Sequence, residues 1–290
     1  MFTTLIEPVE LAKHVDEAHW AIVDCRFDLA RPEWGERDFM DGHIPHARYA
    51  HLEHDLSGPR TAHSGRHPLP DPAVLATTFS RFGIDETVQV VAYDQGTSAY
   101  AARLWWLARW LGHRAVAVVD GGLAAWQCAG LPLTRASETR PPRHFRATPD
   151  EAMAVTTAEL AAALAAGELS GGRSLLVDAR SAERFAGVNE TIDPVAGHIP
   201  GARSHPFALN HDARGRFLPA AELRRAWAGT LRGLPPQRLI SMCGSGVTAC
   251  HNLLALEIAG LPGARLYAGS WSEWIRDGAR AISRGPEDAG

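Results

Sequence analysis

Short apolar runs of strand length alternate along this chain with stretches whose apolar residues recur at helical spacing. Trp20 to Asp24, Val88 to Tyr93 and Ala115 to Val119 read as buried strands, as do Ser174 to Asp178, Arg238 to Met242 and Ala264 to Tyr267. Asp71-Pro72 predicts a helix start, with Asp as the N-cap and Pro in the first turn. Leu75, Phe79 and Phe82 then share one face, and Gly83 supplies the stop. Thr156 and Glu159 have the spacing of a capping box ahead of Leu160 and Leu164. Strands alternating with helices predict parallel α/β sheets, whose functional crevice lies beyond the carboxyl ends of the strands.

The pattern is written twice. Val23-Asp24-Cys25-Arg26 is echoed by Val177-Asp178-Ala179-Arg180, and Gly42-His43-Ile44-Pro45 by Gly197-His198-Ile199-Pro200. Gly121 to Trp126 parallels Gly269 to Trp274. A repeat of this length means two copies of one domain. The expected division is a first domain over 1–135, a linker over 136–150 that holds Pro141-Pro142, and a second domain over 151–290.

Composition narrows the chemistry. Hydrophobic types make up 46% of the 290 residues, enough for two cores. Lys+Arg 29 against Asp+Glu 33 leaves no basic field for nucleic acid. No apolar run reaches the length of a membrane span, and the first residues lack the pattern of a secretory signal. Four cysteines without a C-x-x-C pair argue against a disulfide scaffold and a zinc ribbon. The expectation is a monomer of the cytoplasm, without metal or organic cofactor and with no nucleic-acid or membrane partner.

One segment stands out. In Leu239-Ile240-Ser241-Met242-Cys243-Gly244-Ser245-Gly246-Val247-Thr248, a strand runs into a cysteine, a glycine loop and a helix that extends to about Ala259, where Gly260 ends it. Gly244 and Gly246 permit torsions that turn successive N–H groups inward, and the helix adds its positive end. A thiol at the mouth of such a cradle is expected to be held as the attacking thiolate. The persulfide anion formed from it would meet the same donors. Cys25, Cys128 and Cys250 lack this setting and read as inert packing residues.

This segment, the Asp-x-Arg pairs, both Gly-His-Ile-Pro turns and Asp120 to Trp126 together resemble the rhodanese superfamily over essentially the whole chain. The resemblance implies two tandem α/β domains, each a mainly parallel five-stranded sheet flanked by helices, with the second copy catalytic. Asp94, in Tyr93-Asp94-Gln95-Gly96, stands where the second copy has Cys243, so the first copy is expected to be silent.

The run from Cys243 to Thr248 is similar to that of the 3-mercaptopyruvate sulfurtransferases. Thiosulfate-specific relatives carry two cations directly after the cysteine, where this chain has Gly244 and Ser245. The implied reaction moves a sulfane sulfur from a small anionic donor, 3-mercaptopyruvate or alternatively thiosulfate. It runs through a Cys243 persulfide to a thiol, cyanide or a thioredoxin-like acceptor. Gly244, Gly246, Val247 and Thr248 would cradle the donor, and Arg184 would grip its carboxylate. The segment from Val188 to Ala196 lacks the second Arg expected there, so another group assists or the donor differs.

The resemblance also implies a proton relay of Ser245 and His67, with Glu53 or Asp55 as the supporting acid. His43 and His198 read as turn residues, and Asp24–Arg26 and Asp178–Arg180 as strand-end pairs. Two other functions fit the residues less well. A phosphatase on this fold needs Arg six residues after the cysteine, where Ala249 stands. A non-catalytic binding module is disfavoured by Cys243 and its intact glycine loop.

Overall fold

The computed structural model describes residues 1–136 and 140–286. Ser137 to Thr139, in the expected linker, and the last four residues of the expected second domain lie outside them. The chain packs as two compact units. The first comprises Met1–Gly58, Leu69–Asp150 and His211–Phe217; the second comprises Pro59–Pro68, Glu151–Asn210 and Leu218–Gly290. Neither unit is a single stretch of sequence. Among the described residues no helix is long and apolar enough to cross a membrane.

In the first unit the chain runs β1 (Leu5–Ile6), α1 (Pro8–Leu11), β2 (Trp20–Asp24), α2 (Trp34–Asp41), β3 (Arg48–Tyr49), α3 (Pro72–Arg81), β4 (Gln89–Tyr93), α4 (Ala101–Trp110), β5 (Val116–Val119) and α5 (Gly122–Cys128). The strands form a five-stranded sheet in the order β1-β5-β4-β2-β3, parallel throughout. β4 and β5 are buried along their whole length, which is why they read as continuous apolar runs rather than alternating ones. Helix α3 starts as expected, with the Asp71 carboxylate accepting the Ala73 and Val74 amides at 2.8 and 3.3 Å.

The second unit repeats the plan with α6 (Thr157–Ala165), β6 (Leu175–Asp178), α7 (Ala182–Ala186), β7 (Arg203–Ser204), α8 (Ala220–Leu231), β8 (Leu239–Met242), α9 (Thr248–Ile258), β9 (Arg265–Leu266) and α10 (Ser270–Trp274). The capping box of Thr156 and Glu159 is present. The sheet has four strands, not the expected five, in the order β7-β6-β8-β9. The missing edge survives as one parallel bridge, Ala154 to Leu266, because Thr156 caps α6 immediately afterwards and β9 is only two residues long.

The repeated motifs are structural. Arg26 and Arg180 each bind the aspartate two residues earlier and reach the carbonyl of Gly42 or Gly197, pinning the Gly-His-Ile-Pro turn to the strand end. His43 stacks on Phe39 and His198 on Phe185, each at 3.8 Å between ring centroids.

Beneath α9 lies a buried polar cluster. Asn210 donates to Asn252 at 2.7 Å and accepts from Trp227 at 3.1 Å, and the Asn252 side chain donates to the His205 carbonyl. The His205 ring stacks on Trp227 at 3.8 Å. Burial lowers the His205 pKa from 6.5 to about 4, against the opposing hydrogen bond that its ring makes to Asn210 Oδ1. The unfolded chain protonates this residue near its ordinary pKa, whereas the folded unit resists until about pH 4. The second unit should therefore lose stability as pH falls from 6.5 towards 4, by about 3 kcal/mol. Urea midpoints measured across that window should drop, and a His205→Gln variant should show a flatter dependence.

Candidate active site

In the second sheet the chain goes from β6 to β7 on one side and to β8 on the other, so β6 and β8 flank the point where strand order reverses. Ligands of such sheets bind outside the carboxyl ends of the strands at that point. Asp178 and Met242, the last residues of β6 and β8, lie directly opposite each other. Cys243 follows β8, and α7 with Arg184 follows β6.

The Cys243 thiol is 2% exposed as a residue, and its Sγ accepts the Gly246 N–H at 3.1 Å. The loop is fixed from its outer side. The Cys243 N–H donates to Ser270 Oγ at 3.1 Å, and the Cys243 and Gly244 carbonyls accept the amides of Trp271 and Ser272 at 3.0 and 2.9 Å. Gly246 has φ +77°, and a Cβ there would stand 2.5 Å from the Ala268 carbonyl. Ser270 has φ 55°, the left-handed region that glycine favours, and Gly122 fills the corresponding place in the first unit. A serine held there costs of order 1 kcal/mol. What it supplies is its hydroxyl, which holds the Cys243 amide while donating to the Tyr267 carbonyl.

Above the loop stand two arginines, not one. A Cβ at Gly244 would lie 3.2 Å from Arg66 Nη2 and 3.4 Å from Arg184 Nη2. Arg184 donates from Nε to both Glu190 oxygens and from Nη2 to Asp193 at 2.9 Å. Arg66 donates to the other oxygen of Asp193 at 2.7 Å. The stretch from Val188 to Ala196, searched in sequence for a second cation, thus contributes two buried carboxylates instead. Burial alone would push the Glu190 carboxyl up, but the Arg184 guanidinium and the amides of Asp193 and Ile192 hold it below the ordinary carboxylate range. The sequence reading missed Arg66, Glu190, Asp193 and Ser270; only the position of Arg66, next to His67, was a usable signal.

Arg66 and His67 come from the Pro59–Pro68 segment of the second unit. The Gly65 amide donates to Glu273 at 3.1 Å and the Arg66 amide to Ser272 Oγ at 2.9 Å. His67 is fully buried, and its Nδ1 lies 2.8 Å from Ser245 Oγ. The structure therefore brings Cys243, Ser245, His67, Arg66 and Arg184 to one loop. Of the acids considered for His67, Asp55 accepts the His51 amide and pairs with Arg81. The Glu53 amide donates to the His51 ring at 3.1 Å. Val247 is buried at the N-cap of α9, and Thr248 opens the helix without a side-chain cap at that end.

The first unit shows what its version of the loop holds. The buried Asp94 carboxylate accepts the amides of Gly96 and Ser98 on one oxygen and those of Tyr100 and Ala101 on the other, at 2.9 to 3.3 Å. Burial pushes this carboxyl up and the four amides oppose it. Cys25 is buried, and burial together with the Asp24 and Asp94 carboxylates pushes its thiol well above the ordinary range. Cys128 is exposed, and the buried Cys250 thiol donates to the Gly246 carbonyl at 3.2 Å.

The rhodanese-like domain model matches residues 7–129 and again 156–277. A Pseudomonas aeruginosa protein named "Probable 3-mercaptopyruvate sulfurtransferase" is 48% identical over 283 residues, covering 97% of this chain and 98% of its own length. The thiosulfate sulfurtransferase of Cricetulus griseus is 34% identical over 261 residues, covering 88% of this chain and 84% of its own. Among solved structures, SseA from Escherichia coli, described as a 3-mercaptopyruvate sulfotransferase, superposes with TM-score 0.80 at 30% identity, covering 94% of this chain and 100% of that one. The chain belongs to the rhodanese family, with two copies of its domain in one polypeptide, and is a sulfurtransferase.

Proposed function

We propose that this enzyme moves the sulfur of 3-mercaptopyruvate through a persulfide on Cys243 to a small thiol, cyanide or a thioredoxin-like protein. The carrying observation is the Gly246 N–H on Cys243 Sγ beside a pair of arginines. In this reading the donor's carboxylate lies against Arg184 and Arg66, and its carbon–sulfur bond points at Sγ. The Cys243 thiolate attacks the donor sulfur. That forms the S–S bond and breaks the C–S bond, whose electron pair leaves on the enolate of pyruvate. The proton of the donor thiol passes to the enolate carbon, by way of Ser245 Oγ and His67 Nδ1, 2.8 Å apart. The products are pyruvate and a Cys243 persulfide anion. The acceptor's attack on the outer sulfur then restores the thiolate, giving ping-pong kinetics.

A thiosulfate reading draws support from the two cations at the loop, since that donor is a dianion and releases sulfite. The kcat/KM ratio of the two donors on one preparation decides between them, and 3-mercaptopyruvate should be preferred. A preference for thiosulfate would overturn the donor assignment.

Two variants test the chemistry. Cys243→Ser should lose sulfur transfer by at least about a thousandfold. Mass spectrometry after donor treatment should show one added sulfur atom on the parent protein and none on the variant. His67→Gln should slow the 3-mercaptopyruvate reaction by about 100-fold or more. It should slow the thiosulfate reaction much less, because sulfite departs without needing a proton. Equal losses with both donors would remove His67 from the proton path.

A further inference from the structure

Beside the Cys243 loop runs an unbroken row of ion pairs in which the sign alternates. Arg66 pairs with Asp193 at 2.7 Å, Asp193 with Arg184 at 2.9 Å, Arg184 with Glu190 at 3.0 Å, Glu190 with Arg180 at 3.3 Å, and Arg180 with Asp178 at 2.7 Å. Three cations and three carboxylates leave the row neutral. The end that reaches the loop is Arg66–Asp193–Arg184, whose atoms would stand 3.2, 3.6 and 3.4 Å from a Cβ at Gly244. Asp193 is 1% exposed in its side chain, so its charge is little screened by water.

We infer that Asp193 sets the charge preference of the donor site, biasing the Arg66–Arg184 pair against a dianionic donor relative to a monoanionic one. Asp193 occupies one edge of each guanidinium with its two oxygens. Other donors stay open: Arg66 Nε is buried and makes no hydrogen bond among the described residues. An incoming anion can therefore still be held, but by cations already half neutralised. With Cys243 as its thiolate, the row and the sulfur together carry one net negative charge before any donor arrives. A dianion meets twice the repulsion that a monoanion meets. Two charges at about 6 Å in a medium of effective dielectric about 20 interact strongly enough to change a rate ratio by tenfold or more.

The inference rests on Cys243 as the sulfur carrier and deepens the donor assignment above. Its test uses the fact that one ion pair can be broken from either side. Asp193→Asn and Arg66→Gln remove the same contact but shift the local charge in opposite directions. The readout is kcat/KM for thiosulfate divided by that for 3-mercaptopyruvate, at fixed ionic strength and relative to the parent enzyme. Asp193→Asn should raise this ratio about tenfold or more, and Arg66→Gln should lower it by a similar factor. Arg66→Lys, which keeps the charge but not the fork, should lower both rates and leave the ratio within about threefold. A purely structural contact predicts that all variants lose activity with both donors alike. Ratios that stay flat or move in one direction for both charge-removing variants overturn the inference. If Asp193→Asn does not fold, the contrast of Arg66→Gln with Arg66→Lys decides alone. A parent enzyme that prefers thiosulfate would sink the donor assignment but not this inference, which is scored on the shift.

Discussion

The Gly246 N–H aimed at Cys243 Sγ is the contact on which the rest of the second unit converges. A hydrogen bond to a charged group contributes about 1.5–3 kcal/mol, so even one amide aimed at a reacting sulfur matters. The geometry is expensive to build. It needs the positive φ of Gly246, the strained backbone of Ser270 and three hydrogen bonds from the first turn of α10, one of them through the Ser270 hydroxyl. The first unit runs the same experiment with another occupant. There Asp94 takes four amides on its two carboxyl oxygens, so a loop of this shape turns its N–H groups onto one acceptor. A carboxylate has no sulfur to exchange, so the proposed chemistry is confined to the second unit.

In the proposed reaction an anionic nucleophile meets an anionic donor, which calls for nearby cations held in place. Long arginine side chains lose much rotamer freedom when ordered, and the buried carboxylates bear that cost here. Glu190 takes Arg184 and Arg180, and Asp193 takes Arg184 and Arg66. Removing one partner of such a buried pair typically costs about 3–5 kcal/mol, which keeps the guanidinium planes fixed above Gly244. The same carboxylates discount the positive charge they position. Orientation and charge are thus set by one group of residues.

How much of this was readable in the chain follows from the range of each interaction. The caps at Asp71 and Thr156 and the strands β2, β4, β5, β6, β8 and β9 were legible because their signals lie within a few residues, whereas the two-residue strands β3 and β7 carry no apolar run. Cys243 was legible for the same reason: strand, cysteine, glycine and helix follow one another directly. The fifth strand of the second sheet was not, because the resemblance carried over an edge that here rests on one bridge at Ala154. Arg66, Glu190 and Asp193 escaped notice because charged residues in loops ordinarily read as solvated surface. Only the packed fold buries Asp193 between two arginines that lie far apart in sequence.

That separation bears on how the site is assembled. Arg66 and His67 are encoded amid the first repeat, yet the segment Pro59–Pro68 packs with the second unit, while His211–Phe217 packs with the first. Within the first unit, Arg216 pairs with Glu7 at 2.7 Å and the Phe217 amide donates to Asp120 at 2.9 Å. Within the second, Ser272 and Glu273 hold the Arg66 and Gly65 amides. Cutting the chain between the repeats would therefore leave Cys243 with its loop but without Arg66 and without the His67 imidazole at Ser245. Cys243 is encoded in the second repeat, whereas Arg66 and His67, which the second unit packs beside its loop, are encoded in the first. Under the proposed reaction, the reason for keeping both copies in one polypeptide is then chemical as well as structural, because the first repeat supplies side chains that the Cys243 loop lacks.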